Sequence, residues 1–220
     1  MHKDNQNFNR PKDQIEVENR ETKGLWKAIA YAKDYGEGNK EIDLDLITEL
    51  NRMILIETRP EAAGKFRVAG HDIEFLTCIT PPPGSEVYGL MLNFEKELKT
   101  RLSLIEFWHK DYKGNKYKKW VDSVIDLAAW IQHRLVYIHP FCEGNGRTAR
   151  LMTNVILCRY HFRPTNVKIE AEDKDKYLNA LCQIDNARDY RPLKNLIIKG
   201  SIETLKNEIK RKNINLNPQK

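Results

Sequence analysis

The sequence predicts an all-α domain carrying one short β-hairpin. Apolar residues recur at three- and four-residue spacing through most of the chain, as amphipathic helices require. One stretch, Arg59 to Glu86, interrupts that rhythm with Gly64, Gly70, β-branched and aromatic residues, and three consecutive prolines. No strands alternate with the helical segments, which excludes a parallel α/β sheet.

Taken in order, the first fifteen residues are polar and predict a disordered extension. From about Glu16 the pattern becomes helical, with Leu25, Trp26, Ile29 and Ala30 on one side, until Tyr35 to Glu41 breaks it. A second helix follows, carrying Leu44, Leu46, Ile47, Leu50, Met53, Ile54 and Leu55. The stretch before Pro81–Pro83 reads as a hairpin, because prolines cannot continue a helix. Helical spacing resumes at Val87 with Leu90, Met91, Phe94 and Leu98. A long helix then spans about Tyr117 to Tyr137, with Val121, Val124, Ile125, Ala128, Ile131 and Leu135 on its apolar face. Further helices are predicted near Arg147 to Ile156, Asp173 to Ile184 and Leu193 to Lys210. The domain proper runs over 16–205, and 206–220 reads as a basic C-terminal tail.

Composition narrows the function. At 220 residues and 40% hydrophobic content, the chain is long and apolar enough for one domain with a real core. It has no apolar run long enough to cross a bilayer and no apolar signal core near its start. No membrane partner and a cytoplasmic location are therefore expected. Cys78, Cys142, Cys158 and Cys182 are scattered without a CxxC pair, which predicts reduced thiols. The formal charge of +6 concentrates in Lys110 to Lys119 and Lys206 to Lys212. Tyr112 and Tyr117 in the first cluster could stack on bases, but a solvated loop explains it better, so nucleic acid is not the expected partner.

The chemistry concentrates in "HPFCEGNGRTAR", His139 to Arg150. Pro140 disfavours helical geometry at His139, and Gly144 and Gly146 open backbone angles closed to other residues. The bend therefore feeds a helix N-terminus, which attracts anions through free N–H groups and the helix dipole. Arg147 and Arg150 share one face of that first turn, where cations oppose the dipole; a polyanion that meets both explains them. Guanidinium forks suit phosphate. Glu143 could hold Mg²⁺ together with phosphate oxygens, and His139 could act as a general base. "GNGRTA" also fits the loose dinucleotide pattern, but no βαβ unit surrounds it, and a P-loop sequence is absent. A zinc site from His139, Cys142 and Glu143 lacks a fourth ligand at a usual spacing.

These twelve residues match the Fic signature H-x-F-x-(D/E)-G-N-G-R-x-x-R at every specified position. "EAAGKFR" from Glu61 and "RPLKNLI" from Arg191 look like flanking Fic segments. The resemblance implies a Fic-type helical domain over 16–205 acting as a protein adenylyltransferase. In such enzymes a Ser, Thr or Tyr hydroxyl of a target protein attacks the α-phosphate of ATP, and pyrophosphate leaves. By resemblance His139 takes the hydroxyl proton and Glu143 holds Mg²⁺. Gly144, Asn145, Gly146 and Thr148 lie at the nucleotide with Arg147, and Arg150 reaches the γ-phosphate. Phe75, Leu76, Thr77, Cys78 and Ile79 fall where the family has a target-binding flap. Tyr177 and Asn186, or Asp185, fall where it closes over adenosine, although Arg188-Asp189 replaces the usual Gly-Asp there. The intact "GNGR" favours AMP transfer over kinase-like variants. Removal of AMP at the same site, or a non-catalytic nucleotide- or nucleic-acid-binding regulator, are the alternatives.

Many Fic enzymes are inhibited by a helix reading (S/T)-x-x-x-E-(G/N), carried in the chain or lent by an antitoxin-like partner. Gln14–Asn19 and Lys33–Gly38 lack the hydroxyl residue, and Thr204–Ile209 ends in isoleucine. On this basis Glu208 is expected not to be inhibitory.

Overall fold

A computed structural model describes residues 11–73, 78–109, 115–165 and 171–216. Seven α-helices account for most of them: α1 (Pro11–Glu37), α2 (Leu44–Leu55), α3 (Val87–His109), α4 (Asn115–Ile138), α5 (Asn145–Arg159), α6 (Ala171–Ala187) and α7 (Arg191–Leu216). A single 3-10 turn, Gly84–Glu86, leads into α3. The bundle is built around α4, which packs against α3, α5 and α7. It is buried well beyond the face the periodicity predicts: Leu127, Ala129, Trp130, Gln132 and His133 are interior as well. A helix apolar on most sides must be enclosed on most sides.

Helix α1 departs from its predicted face. Trp26 is 66% and Ile29 38% exposed, while the buried line is Gly24, Ala28, Ala32 and Gly36. Four small residues at four-residue spacing let α1 approach α2 and α5 closely. A Cβ at Gly24 would stand 2.7 Å from the Met53 carbonyl, and one at Gly36 would stand 2.6 Å from the Val155 carbonyl. Large apolar residues dominate a periodicity reading, and a seam of small ones escapes it. Gly36→Val should therefore cost about 1–3 kcal/mol through overpacking. Gly89→Ala, with nothing within 4 Å of the added Cβ, should be neutral or slightly stabilising. Urea melts of the two variants test the seam.

Helix α2 starts as the sequence dictates. Asp43 accepts the Leu46 N–H at 3.0 Å, and Leu46, Ile47, Leu50, Ile54 and Leu55 face the core. At the other end of the chain, α7 continues through residues assigned to the basic tail, so 206–216 is helical.

One expectation lies largely outside the described residues, and another meets a different structure. Among the described residues there is no strand, only an isolated antiparallel bridge between Phe66 and Phe141. Of the expected flap, Phe75, Leu76 and Thr77 lie outside the described residues. Cys78 and Ile79 are irregular backbone, with Ile79 buried. The expectation of four reduced thiols fails for one pair: Cys78 and Cys182 form a disulfide, with Cα atoms 5.8 Å apart, while Cys142 and Cys158 are free. Two partners 104 residues apart give no local spacing signal. The bridge ties the chain at Cys78 to α6, and closing so long a loop contributes about 2–4 kcal/mol. Non-reducing peptide mapping should recover the linked pair, and reduction should lower the urea midpoint accordingly.

Candidate functional site

The bend between α4 and α5 is held from several sides. His139 lies at φ 50°, the left-handed region, and its N–H still donates to the Leu135 carbonyl at 3.0 Å. Phe141 is fully buried beside Phe66, ring centroids 5.3 Å apart, which pins the bend to the core. The Asn145 side chain closes the turn on itself, accepting the Phe141 N–H at 2.9 Å and donating to the Phe141 carbonyl at 2.7 Å. Gly144 caps α5 at φ 79°, and a Cβ there would meet Asn51 Nδ2 at 3.0 Å.

Asn51 and Arg67 are two anchors the sequence reading missed. Asn51, fully buried on α2, donates to the Glu143 carbonyl at 3.0 Å and accepts the Gly64 N–H at 3.0 Å. The Arg67 guanidinium, 2% exposed, donates to the carbonyls of Ile138, His139, His71 and Pro82. Both act through contacts far apart in sequence, which no local motif encodes.

A cleft of about 420 Å³ opens over this bend, lined by His139, Glu143, Gly144 to Arg147 and Arg150, with Ile73 and Cys142 completing it. The N–H groups of Asn145, Gly146 and Arg147 precede the first intrahelical bond, Thr148 N–H to the Gly144 carbonyl at 2.9 Å. The cleft therefore combines a helix N-terminus with two guanidiniums, an anion site in both geometry and charge. Burial pulls the Arg150 pKa downward, with the Tyr177 hydroxyl opposing that shift, and an arginine remains charged throughout.

His139 is the general-base candidate. Desolvation depresses its pKa to about 4, opposed by its hydrogen bond to the Val136 carbonyl; nearby Arg67 lowers it further, and Glu143 raises it. The ring is therefore neutral near pH 7. Nδ1 lies 3.3 Å from the Val136 carbonyl, so the tautomer with hydrogen on Nδ1 is favoured, which makes Nε2 the basic nitrogen.

Glu143 is half-exposed. Oε1 accepts the Gly144 N–H at 3.0 Å and lies 3.6 Å from Arg147 Nη2, and Oε2 lies 3.6 Å from Arg59 Nη1. Among the described residues no three metal-ligating side chains cluster. A half-exposed carboxylate beside an anion site suits Mg²⁺, which takes few protein ligands and completes its shell with phosphate oxygens and water.

Other predicted residues sit differently. Thr148 is buried, its hydroxyl donating to the Gly144 carbonyl at 3.0 Å and receiving Asn51 at 3.3 Å, so it braces the loop from inside. The Asn145 amide is engaged with the Phe141 backbone, so this side chain braces the turn. Tyr177, buried on α6, has Arg150 and Gln132 as the polar neighbours of its hydroxyl. Asn186 is exposed at the end of α6, outside the cleft lining, and Asp185 pairs with His133 Nε2 at 3.0 Å. Tyr112 lies outside the described residues, and Tyr117 packs on Trp120, ring centroids 5.7 Å apart. Glu208 pairs with Arg163 at 2.9 Å. A different carboxylate meets the motif: Glu21 of α1 accepts from Arg147 Nη1 at 2.9 Å, across 126 residues of sequence.

The sequence profile of the Fic/DOC family matches residues 41–157. A protein adenylyltransferase Fic of Drosophila willistoni is 31% identical over 193 residues, 86% of this chain and 33% of that relative. The chain spans 33–39% of the length of this and a similar curated relative from Nematostella vectensis. Among solved structures, Fic-1 of C. elegans superposes with a TM-score of 0.60 at 25% identity, over 90% of this chain and 53% of its own. BepC of Bartonella tribocorum, solved with bound AMPPNP, superposes with a TM-score of 0.56 at 16% identity, over 86% and 88%. Among the described residues, no helix is long and apolar enough to cross a membrane.

Proposed function

Because the chain belongs to the Fic/DOC family, we propose that it is a protein adenylyltransferase, moving AMP from ATP to a Ser, Thr or Tyr hydroxyl of a target protein. What supports this reading most is the convergence on one cleft of a neutral imidazole, a carboxylate, a helix N-terminus and two arginines. That set matches the needs of nucleotidyl transfer: a base for the attacking hydroxyl, a site for phosphate charge, and a carboxylate for a cation. The relatives named as adenylyltransferases and the AMPPNP held by a protein of the same fold point the same way.

The hydroxyl gives its proton to His139 Nε2 as its oxygen attacks the α-phosphorus. The bond to the bridging oxygen breaks, and pyrophosphate leaves. The N–H groups at the start of α5 hold the phosphates, and Arg147 and Arg150 offset the charge that grows on them. Mg²⁺, held by Glu143, would neutralise phosphate charge and favour pyrophosphate as leaving group.

ATP labelled at the α-phosphate, incubated with the chain and cell lysate, should label protein bands. Release of AMP from already modified protein would instead favour the reverse reaction, and ATP binding without either would favour a regulator. The pH dependence follows from His139. Its neutral form is the active base, and protonation as pH falls removes it. The kcat/KM of the wild-type chain should therefore be flat across neutral pH and decline only towards pH about 4. An acid limb near the ordinary histidine value of about 6.5 would contradict this.

A persistent Cys78–Cys182 bridge belongs to an oxidising compartment, whereas in a cytoplasmic location the pair would be held reduced.

A further inference from the structure

We infer that Arg67 is the positioning residue of this site: one side chain fixes the turn that carries His139 and ties it to both shoulders of the 71–82 segment. The inference rests on the adenylyltransferase reading for its kinetic tests only.

The observation is a run of consecutive acceptors. The carbonyls of Ile138, His139 and Pro140 all accept from Arg67: Nη2 at 3.1 Å, Nε at 2.6 Å and the backbone N–H at 2.8 Å. The remaining donors reach the ends of the neighbouring segment, Nη1 to the His71 carbonyl at 3.3 Å and Nη2 to the Pro82 carbonyl at 2.5 Å. Arg67 is 2% exposed, so none of these bonds is replaced by water when it is removed.

His139 needs such a hold. A residue with a side chain at φ 50° costs about 1–3 kcal/mol and persists only where its surroundings over-determine it. The last carbonyls of α4 lack intrahelical partners and carry the negative end of the helix dipole, so a cation is the natural cap. A planar fork reaches several carbonyls at once, whereas a lysine ammonium is a point charge on a flexible stem. The same guanidinium also holds the His71 and Pro82 carbonyls, so one side chain joins them to the His139 turn. Ile73, within that segment, lines the cleft. Arg67 is not among the residues that line the cleft and acts through the His139 backbone.

The test uses the full chain with ¹³C-labelled histidine, comparing wild type, Arg67→Lys and Arg67→Met. Burial is the main cause of the low His139 pKa; of the charged groups, Arg67 lowers it further and Glu143 raises it. In Arg67→Met the His139 NMR titration should move up modestly from about 4, because the Arg67 charge is lost while the larger effect of burial remains. In Arg67→Lys it should stay low, because the charge remains. In Arg67→Lys, self-labelling from α-labelled ATP should lose about 10–100-fold in kcat through misplacement of the base. Its calorimetric affinity for ATP should stay within about twofold, since the anion contacts lie on α5. Unchanged kcat in Arg67→Lys, or a kcat loss matched by an equal loss of ATP affinity, would overturn the inference, as would a His139 titration indifferent to Arg67→Met. If Arg67→Met does not fold, Arg67→Lys decides through the kcat and affinity comparison. A wild-type chain that transfers no AMP while its His139 titration responds as stated would defeat the functional reading and leave the role of Arg67 standing.

Discussion

Replacing His139 with alanine should reduce AMP transfer by about 10²–10⁴-fold and leave ATP binding nearly intact. The two readouts separate because they draw on different groups. In the proposed reading, binding rests on the α5 N-terminus, Arg147 and Arg150, which supply the positive charge of the cleft, while the imidazole supplies the base. In the proposed reaction transfer also needs a neutral basic nitrogen, and burial keeps the His139 ring deprotonated while Nδ1 faces the Val136 carbonyl. Among the described residues, the other candidate bases are already engaged. His133 is interior and pairs with Asp185, and Glu143 is bonded to the Gly144 N–H. Calorimetry with ATP and Mg²⁺, beside single-turnover transfer of α-labelled AMP, checks both halves. Transfer at near wild-type rates by His139→Ala would remove it from the mechanism.

The bend from His139 to Arg150 was legible because everything that shapes it is local. Proline after His139, glycines at the cap and arginines on the first turn all lie within twelve residues, and each has a short-range physical meaning. Helices α2 to α7 were legible for the same reason, since large apolar side chains at helical spacing mark the faces they bury. What escaped is long-range. Asn51 braces Glu143 and Thr148 from another helix, Arg67 caps α4 from about seventy residues away, and Cys78 bridges to Cys182. A side chain that works through distant backbone carbonyls leaves no periodicity behind. The α1 seam was missed by a different route: its close approach is carried by Gly24 and Gly36, which have no side chain to announce a face.

The Glu21–Arg147 pair follows from that seam. Small residues bring α1 against α5, and this places the Glu21 carboxylate 2.9 Å from the first arginine of the motif. Arg147 cannot give the same guanidinium N–H fully to Glu21 and to a phosphate, so the two compete. Removing the arginine and removing its competitor should therefore act in opposite directions. Arg147→Ala should lower kcat by about 10²–10³-fold, the usual loss when one preorganised donor to developing charge is deleted. Glu21→Gln should instead tighten ATP binding. The pair is mostly shielded from solvent but not fully buried, so its release is worth about 1 kcal/mol, or roughly a fivefold lower Kd. In the double variant the benefit of Glu21→Gln should vanish, because no guanidinium remains to be freed. Glu208→Gln gives the contrast: its partner is Arg163, so ATP affinity should not change. Calorimetric titration of the four variants decides the matter. If Glu21→Gln binds ATP no more tightly than wild type, or keeps its full gain without Arg147, the carboxylate is not a competitor for the phosphate site.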